Sequence, residues 1–308
     1  AGGDAVAEQG GGDVEAVGLV RNLGKLSEFK SLRRQSKDTT DVRAFLTNAW
    51  FTELVLALPL RHVTGDAIRY ANIWAPVQAY YALFAAAQAR FTASGQKQSP
   101  HRSLLSSLAN LLSSSTWLPA PWSNICTGCT ASRTTKVSGL PPSAEIGISG
   151  LSAPRTVSKS WGLIELCLRK TREARLNELN SDWKRRHNRK NMFKAEKKDV
   201  ADKAQPTTIF DFSYRLRIRS NYMDAESFAL GPGSADEARS FYENLTYPTS
   251  SSLLLVEALI AARIGLRAFI AMVDTFQRNS ALGMAGDIPA VNRWAWVDRS
   301  SPSFAQAP

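Results

Sequence analysis

The side chains whose types could carry chemistry are three histidines, three cysteines and one dense cluster of cations. His62, His101 and His187 stand far apart in sequence, and no nucleophile motif sits beside any of them. Cys126 and Cys129, in `CTGC`, have the spacing of half a zinc site. The other half would have to come from Cys167 and His187, which do not repeat that spacing, so the pair reads as a loop with two free thiols. There is no Walker loop, no GxGxxG after a strand, no HExxH and no GxSxG. Neither a metal nor an organic cofactor is expected.

The cations are more informative. Residues 169–199 hold twelve Lys and Arg against five Asp and Glu, most of the net +11 that the chain carries from 38 basic and 27 acidic residues. Lys184, Arg185, Arg186, Arg189 and Lys190 would make a dense positive surface on a helix. Such a surface attracts nucleic-acid phosphates by counterion release and reads no sequence. The competing reading is a solvated helix laced by internal salt links through Glu173 and Glu178.

The elements that must position these residues read as helices. With 308 residues the chain has room for one large domain or two modest ones. Residues 1–37 read as a flexible N-terminal segment, Gly-rich over 1–13 and basic with a loose helical period after that. A helix is expected at 40–58, with Asp41 as N-cap, Phe45, Trp50, Leu54 and Leu58 on its stripe, and Pro59 as its end. In the next helix Tyr70, Ile73, Trp74, Val77, Tyr80, Tyr81, Phe84 and Phe91 share a broad stripe that stops at Gly95. Pro76 lacks an N–H, so it belongs either in the first turn or at a kink. Residues 101–112 form a short amphipathic helix. Residues 113–159 are a long Ser/Pro/Gly-rich insertion without a core of its own, and a basic helix follows at 160–199.

Residues 209–219 alternate strictly through Phe210, Phe212, Tyr214, Leu216 and Ile218, which is a strand pattern. No other segment alternates in this way to pair with them, so a helix is expected. Helices are expected at 234–245, capped by Ser234, and at 250–277, followed by an irregular tail at 279–308. The apolar run 253–276 contains Glu257, Arg263, Arg267 and Asp274. A charge near a bilayer centre costs roughly 2.5 to 3.5 kcal/mol, so a buried bundle helix is expected and no membrane partner. The N-terminus has neither a basic n-region nor an apolar h-region, so no signal peptide is expected. Three cysteines give no even disulfide framework, which fits a reducing compartment and a cytoplasmic protein. The sum is an all-α protein, a single bundle domain at 38–278 interrupted by the insertion and the basic helix.

Three segments in order resemble the HEPN family of nucleotide-binding helical domains: `AYYALFAAAQARF` ending before a glycine, `SPHRSLLSSLANLL` with His101 opening its helix, and `YRLRIRSNYMDAESF` at 214–228. A long apolar helix follows, as in that family. The resemblance covers roughly 40–112 and 206–277, and implies a HEPN-like antiparallel helical bundle that forms a homodimer with its arginine segments meeting at a cleft. It implies ligand-binding roles for Arg215, Arg219, Asn221 and Tyr222. Ribonuclease members of the family carry a histidine four to six residues beyond the arginine. Here Arg219 is followed by Ser220, Asn221, Tyr222, Met223, Asp224, Ala225 and Glu226, and Arg215 and Arg217 find no histidine either.

The resemblance therefore implies a non-enzymatic RNA- or nucleotide-binding protein, in a toxin, defence or stress setting. One alternative is a metal-independent endoribonuclease with a degenerate motif, whose catalytic candidates are Arg219 and His101. Another is a protein-interaction module that docks a protein partner through 250–277. A purely structural role for the arginine segment would pair it with Asp211 or Asp224.

Overall fold

A computed structural model describes residues 39–96, 101–114, 118, 120–138, 157–280 and 288–295. Among them are ten helices and one two-stranded sheet, so the protein is mostly helical, as the periodicities predict. The segments 1–37, 139–156 and 296–308 lie outside the described residues, and with them most of the expected N-terminal segment, the later part of the insertion and the end of the tail. Contacts divide the chain into two compact units, the first from residues 1–104 and 217–308, the second from residues 105–216.

In the first unit, α1 (Thr40–His62) buries Val42, Leu46, Ala49, Trp50 and Leu54, which share one helical face. It does not stop at Pro59, as the sequence predicts. The Val63 N–H closes on Pro59 O at 3.0 Å, and the Arg239 guanidinium donates to Leu60 O at 2.5 Å, so two carbonyls of the final turn are satisfied. Asp41 lies in the first turn, where the helix dipole favours it, and Thr39 precedes the helix.

α2 (Ile68–Thr92) buries an alanine-rich face, Ala75, Ala79, Ala82, Ala86 and Ala89, which lets its backbone approach its neighbours closely. Pro76 lies well inside α2 rather than in its first turn. α3 spans His101–Ser114.

In the second unit, β1 (Ile125–Thr127) and β2 (Lys136–Ser138) pair antiparallel, with Cys126 opposite Val137. Within the Ser/Pro/Gly-rich insertion Cys126 and Cys129 are both buried, and Cys129 packs with Leu176 and Ala201, which lie outside that segment. Gly128 makes the turn possible. Its φ is +84°, and a Cβ there would come within 2.1 Å of Thr134 O. α4 (Val157–Arg186) and α5 (Lys194–Lys203) follow. Arg172, fully buried on α4, donates to Gly128 O at 3.2 Å, Gln205 O at 2.5 Å and Ala201 O at 2.8 Å, tying the hairpin to the end of α5.

α6 (Ile209–Ile218) is a helix in spite of its alternation. Asp211 accepts from the Thr208 N–H at 2.8 Å and the Thr208 hydroxyl at 2.9 Å, fixing the first turn. Most of α6 is half-buried all round, so both sides of the alternating pattern are partly covered.

A π-helical turn, Arg219–Met223, leads to α7 (Ala225–Leu230) and to α8 (Ala235–Ile264). Ser234 caps α8 as expected, accepting from the Glu237 N–H at 3.1 Å. α8 runs through Pro248 and stops at Gly265, whose φ of +93° suits glycine, and α9 (Leu266–Asn279) begins there. The division between the last long helices therefore falls at Gly265 and not between 245 and 250. α8 is long and apolar enough to cross a membrane by length and composition, and that stretch is mostly buried inside the protein.

α10 (Pro289–Trp294) forms where the sequence reads as irregular, with Pro289 opening it and Trp294 fully buried. Arg293 of α10 pairs with Glu53 and Glu257, and Glu257 also accepts from the Trp50 and Trp294 indoles at 2.8 and 2.7 Å.

Candidate functional site

Two clusters gather the residues of chemical interest, one in each unit. In the first unit α2 supplies Tyr80, Tyr81 and Phe84, the first residue of α3 supplies His101, the end of α6 supplies Arg217 and the π turn supplies Tyr222. The Tyr80 hydroxyl and His101 Nδ1 are 2.8 Å apart, and the imidazole lies against Phe84 with ring centroids 4.3 Å apart. Arg217, only 9% exposed, donates to the Tyr81 hydroxyl at 2.9 Å. Its Cζ is 5.9, 5.3 and 5.6 Å from the Tyr80, Tyr81 and Tyr222 ring centroids, within cation–π range. Tyr222 stands 67% exposed at the solvent side.

Burial first, and then the Arg217 charge, push the His101 pKa below its ordinary value. The ring is therefore mostly neutral near pH 7, with Nδ1 and the Tyr80 hydroxyl sharing one hydrogen bond. A neutral imidazole beside a phenol and a guanidinium can take up a proton while an anion is held close by.

The expected ligand residues fare differently. Tyr222 joins the cluster. Arg219 is ion-paired with Asp224 at 2.7 Å, one of the two carboxylates expected for a structural role. Asn221 is half-buried in the π turn, and Arg215 is half-buried in the second unit. The arginine that faces His101 is Arg217, which the motif comparison passes over. A signal for it was present: Phe210, Tyr214 and Arg217 fall at i, i+4 and i+7, one face of a helix, led by the buried Phe210. π turns of this kind are frequent at functional sites.

The second cluster is the end of α4 and the turn into α5. Arg185 pairs with Asp182 at 2.6 Å and Arg189 with Glu196 at 2.5 Å. Among the described residues Lys184, Arg186 and Lys190 have no ion pair. Arg186 reaches only the Asp182 backbone oxygen, at 3.4 Å. Glu173 and Glu178 pair with Lys170 and Arg175, farther up α4. The solvated-helix reading thus applies to part of the basic run, and three cations at its end stay open.

Aromatic rings are interleaved with these charges. Trp183 stacks on His187 at 4.0 Å and 17°, and Arg189 Cζ is 5.3 Å from the Trp183 ring and 5.2 Å from the Phe193 ring. Asn188, at φ +48°, turns the chain after the helix as Asn tolerates. Glu196 accepts from the Phe193 N–H at 2.7 Å, which lowers the Glu196 pKa and fixes the start of α5.

Sequence reasoning also passes over Arg90, 4% exposed on α2. It donates to the Ser94 hydroxyl, and its Nε is buried with no hydrogen-bond partner among the described residues. Burial, and next the Arg263 charge, lower its pKa to about 10. As for the thiols, burial pushes Cys126 up to about 11. Among the described residues no three His, Cys, Asp or Glu side chains converge as a metal-ligand set. Compared with protein-family models, curated proteins and solved structures, the chain matches none.

Proposed function

We propose that the chain is a non-enzymatic, HEPN-like helical protein that binds RNA or nucleotides. The observation that carries this reading is the end of α4, where, among the described residues, half-buried Lys184 and exposed Arg186 and Lys190 have no ion pair. Phosphate binding there is electrostatic, so it weakens with salt. The test is a titration of full-length protein with labelled RNA across a range of salt. Alanine at Lys184, Arg186 or Lys190 is expected to flatten the log–log salt slope by about 0.7 for each lost single-strand phosphate contact. Affinity indifferent to salt and to all three changes would overturn the reading. A second copy of the chain remains the expected protein partner, since Tyr222 and Met223 stand exposed side by side in the arginine segment.

A second reading, metal-independent ribonuclease activity, is favoured by one specific observation, the grouping of Tyr80, His101 and Arg217. It calls for RNA cleavage in EDTA that is lost in both His101→Ala and Arg217→Ala. Cleavage that survives both changes would place any activity elsewhere.

A further inference from the structure

We propose that the α4–α5 turn is a stacking platform for unpaired bases, so that the RNA recognised there is single-stranded; this rests on the RNA-binding reading above. His187, Trp183, Arg189 and Phe193 form a continuous run of ring and guanidinium contacts, 4.0, 5.3 and 5.2 Å from one centre to the next. Both ends of the run are open to solvent: His187 is exposed, and Phe193 is 70% exposed. A single exposed phenylalanine is ordinary on a protein surface. This one is held in place on its inner side, because Arg189 lies against its ring while Glu196 both pairs with Arg189 and accepts from the Phe193 backbone N–H.

The ion pair changes the role of Arg189. Its charge is met by Glu196, so it serves as a flat spacer between two rings, and the phosphate-facing charge falls to Lys184, Arg186 and Lys190 on the same turn. Cations along a backbone path beside an aromatic face on which bases stack are the elements of single-strand recognition. In a duplex each base already stacks on its neighbours and offers no free face to a protein ring, so the same surface would hold a duplex by charge alone.

The experiment uses the full chain, a short labelled RNA single strand, and the same strand annealed to its complement, read by fluorescence anisotropy. The single strand is expected to bind more tightly than the duplex. Phe193→Ala is expected to weaken single-strand binding roughly 5- to 150-fold, the worth of one base stacked on an aromatic ring, and to leave duplex binding unchanged. Phe193→Tyr, which keeps a ring, is expected to restore the wild-type preference. Equal binding of single strand and duplex, both unmoved by Phe193→Ala, would overturn the platform and leave the electrostatic reading standing. If neither RNA binds, both fall. A Phe193→Ala loss shared equally by both RNAs and accompanied by a lower melting temperature would make Phe193 structural and also overturn the platform.

Discussion

The Tyr80 hydroxyl lies 2.8 Å from His101 Nδ1, joining the middle of α2 to the first residue of α3. With Arg217 bearing on the same ring, His101 is held neutral where a solvated imidazole would begin to charge. Its folded-state pKa lies below its unfolded one, so the folded protein binds fewer protons than the unfolded chain through this window. Stability is therefore greatest above an ordinary histidine pKa of about 6.5 and is lost as pH falls toward the lowered value. Thermal melts between about pH 7 and about pH 5 should show this fall. His101→Gln is expected to shrink it, and a proton NMR titration should place His101 below the ordinary value.

Arg293 sits between Glu53 and Glu257, with all three buried. Removing the cation leaves two carboxylates in an apolar setting. Arg293→Ala is expected to cost about 3–5 kcal/mol in urea unfolding. Arg293→Ala combined with Glu53→Gln should recover part of that loss, because one of the stranded charges is gone.

Arg172 serves three backbone carbonyls with a forked group. A lysine has the charge but not the fork. Arg172→Lys is expected to destabilise the second unit by about 1–3 kcal/mol. The loss should appear first as faster hydrogen exchange at the Cys126 and Thr207 amides, which bond across to each other's carbonyls at 2.8 and 2.9 Å.

Arg90 gives the opposite sign. It is a buried cation with a lowered pKa and no carboxylate among the causes of that shift. Replacing it with methionine removes an unsatisfied donor while filling similar space, and Arg90→Met is expected to raise stability by about 1–3 kcal/mol. A lower melting temperature in that variant would mean that the guanidinium is needed where it is.

The helical class was legible because the apolar stripes of α1 and α2 are long and periodic. What misled was local. Pro59 looks like a stop, yet α1 runs on to His62, where the Val63 N–H and the Arg239 guanidinium meet carbonyls of its last turn, and Pro248 likewise lies inside α8. The alternation at 209–219 imitates a strand because α6 is half-covered on every side. The basic cluster could be read directly, since density of charge is a property of the sequence. Its division into paired and open cations could not, because Glu196 reaches Arg189 only once the chain has turned back at Asn188. Arg217 was hidden by its two neighbours of the same type, and only the helical phase separates it from them.

The second unit lies in sequence between the two parts of the first, so a ribosome completes it before the first unit can close. Glu53 emerges 240 residues ahead of Arg293, the cation it pairs with. Until then the Glu53 carboxylate on α1 lacks its cation, although α2 already covers much of the apolar face of α1. A stalled or shortened chain would thus carry a finished second unit beside an unfinished first, which makes residues 288–295 the segment whose synthesis commits the protein to its final form.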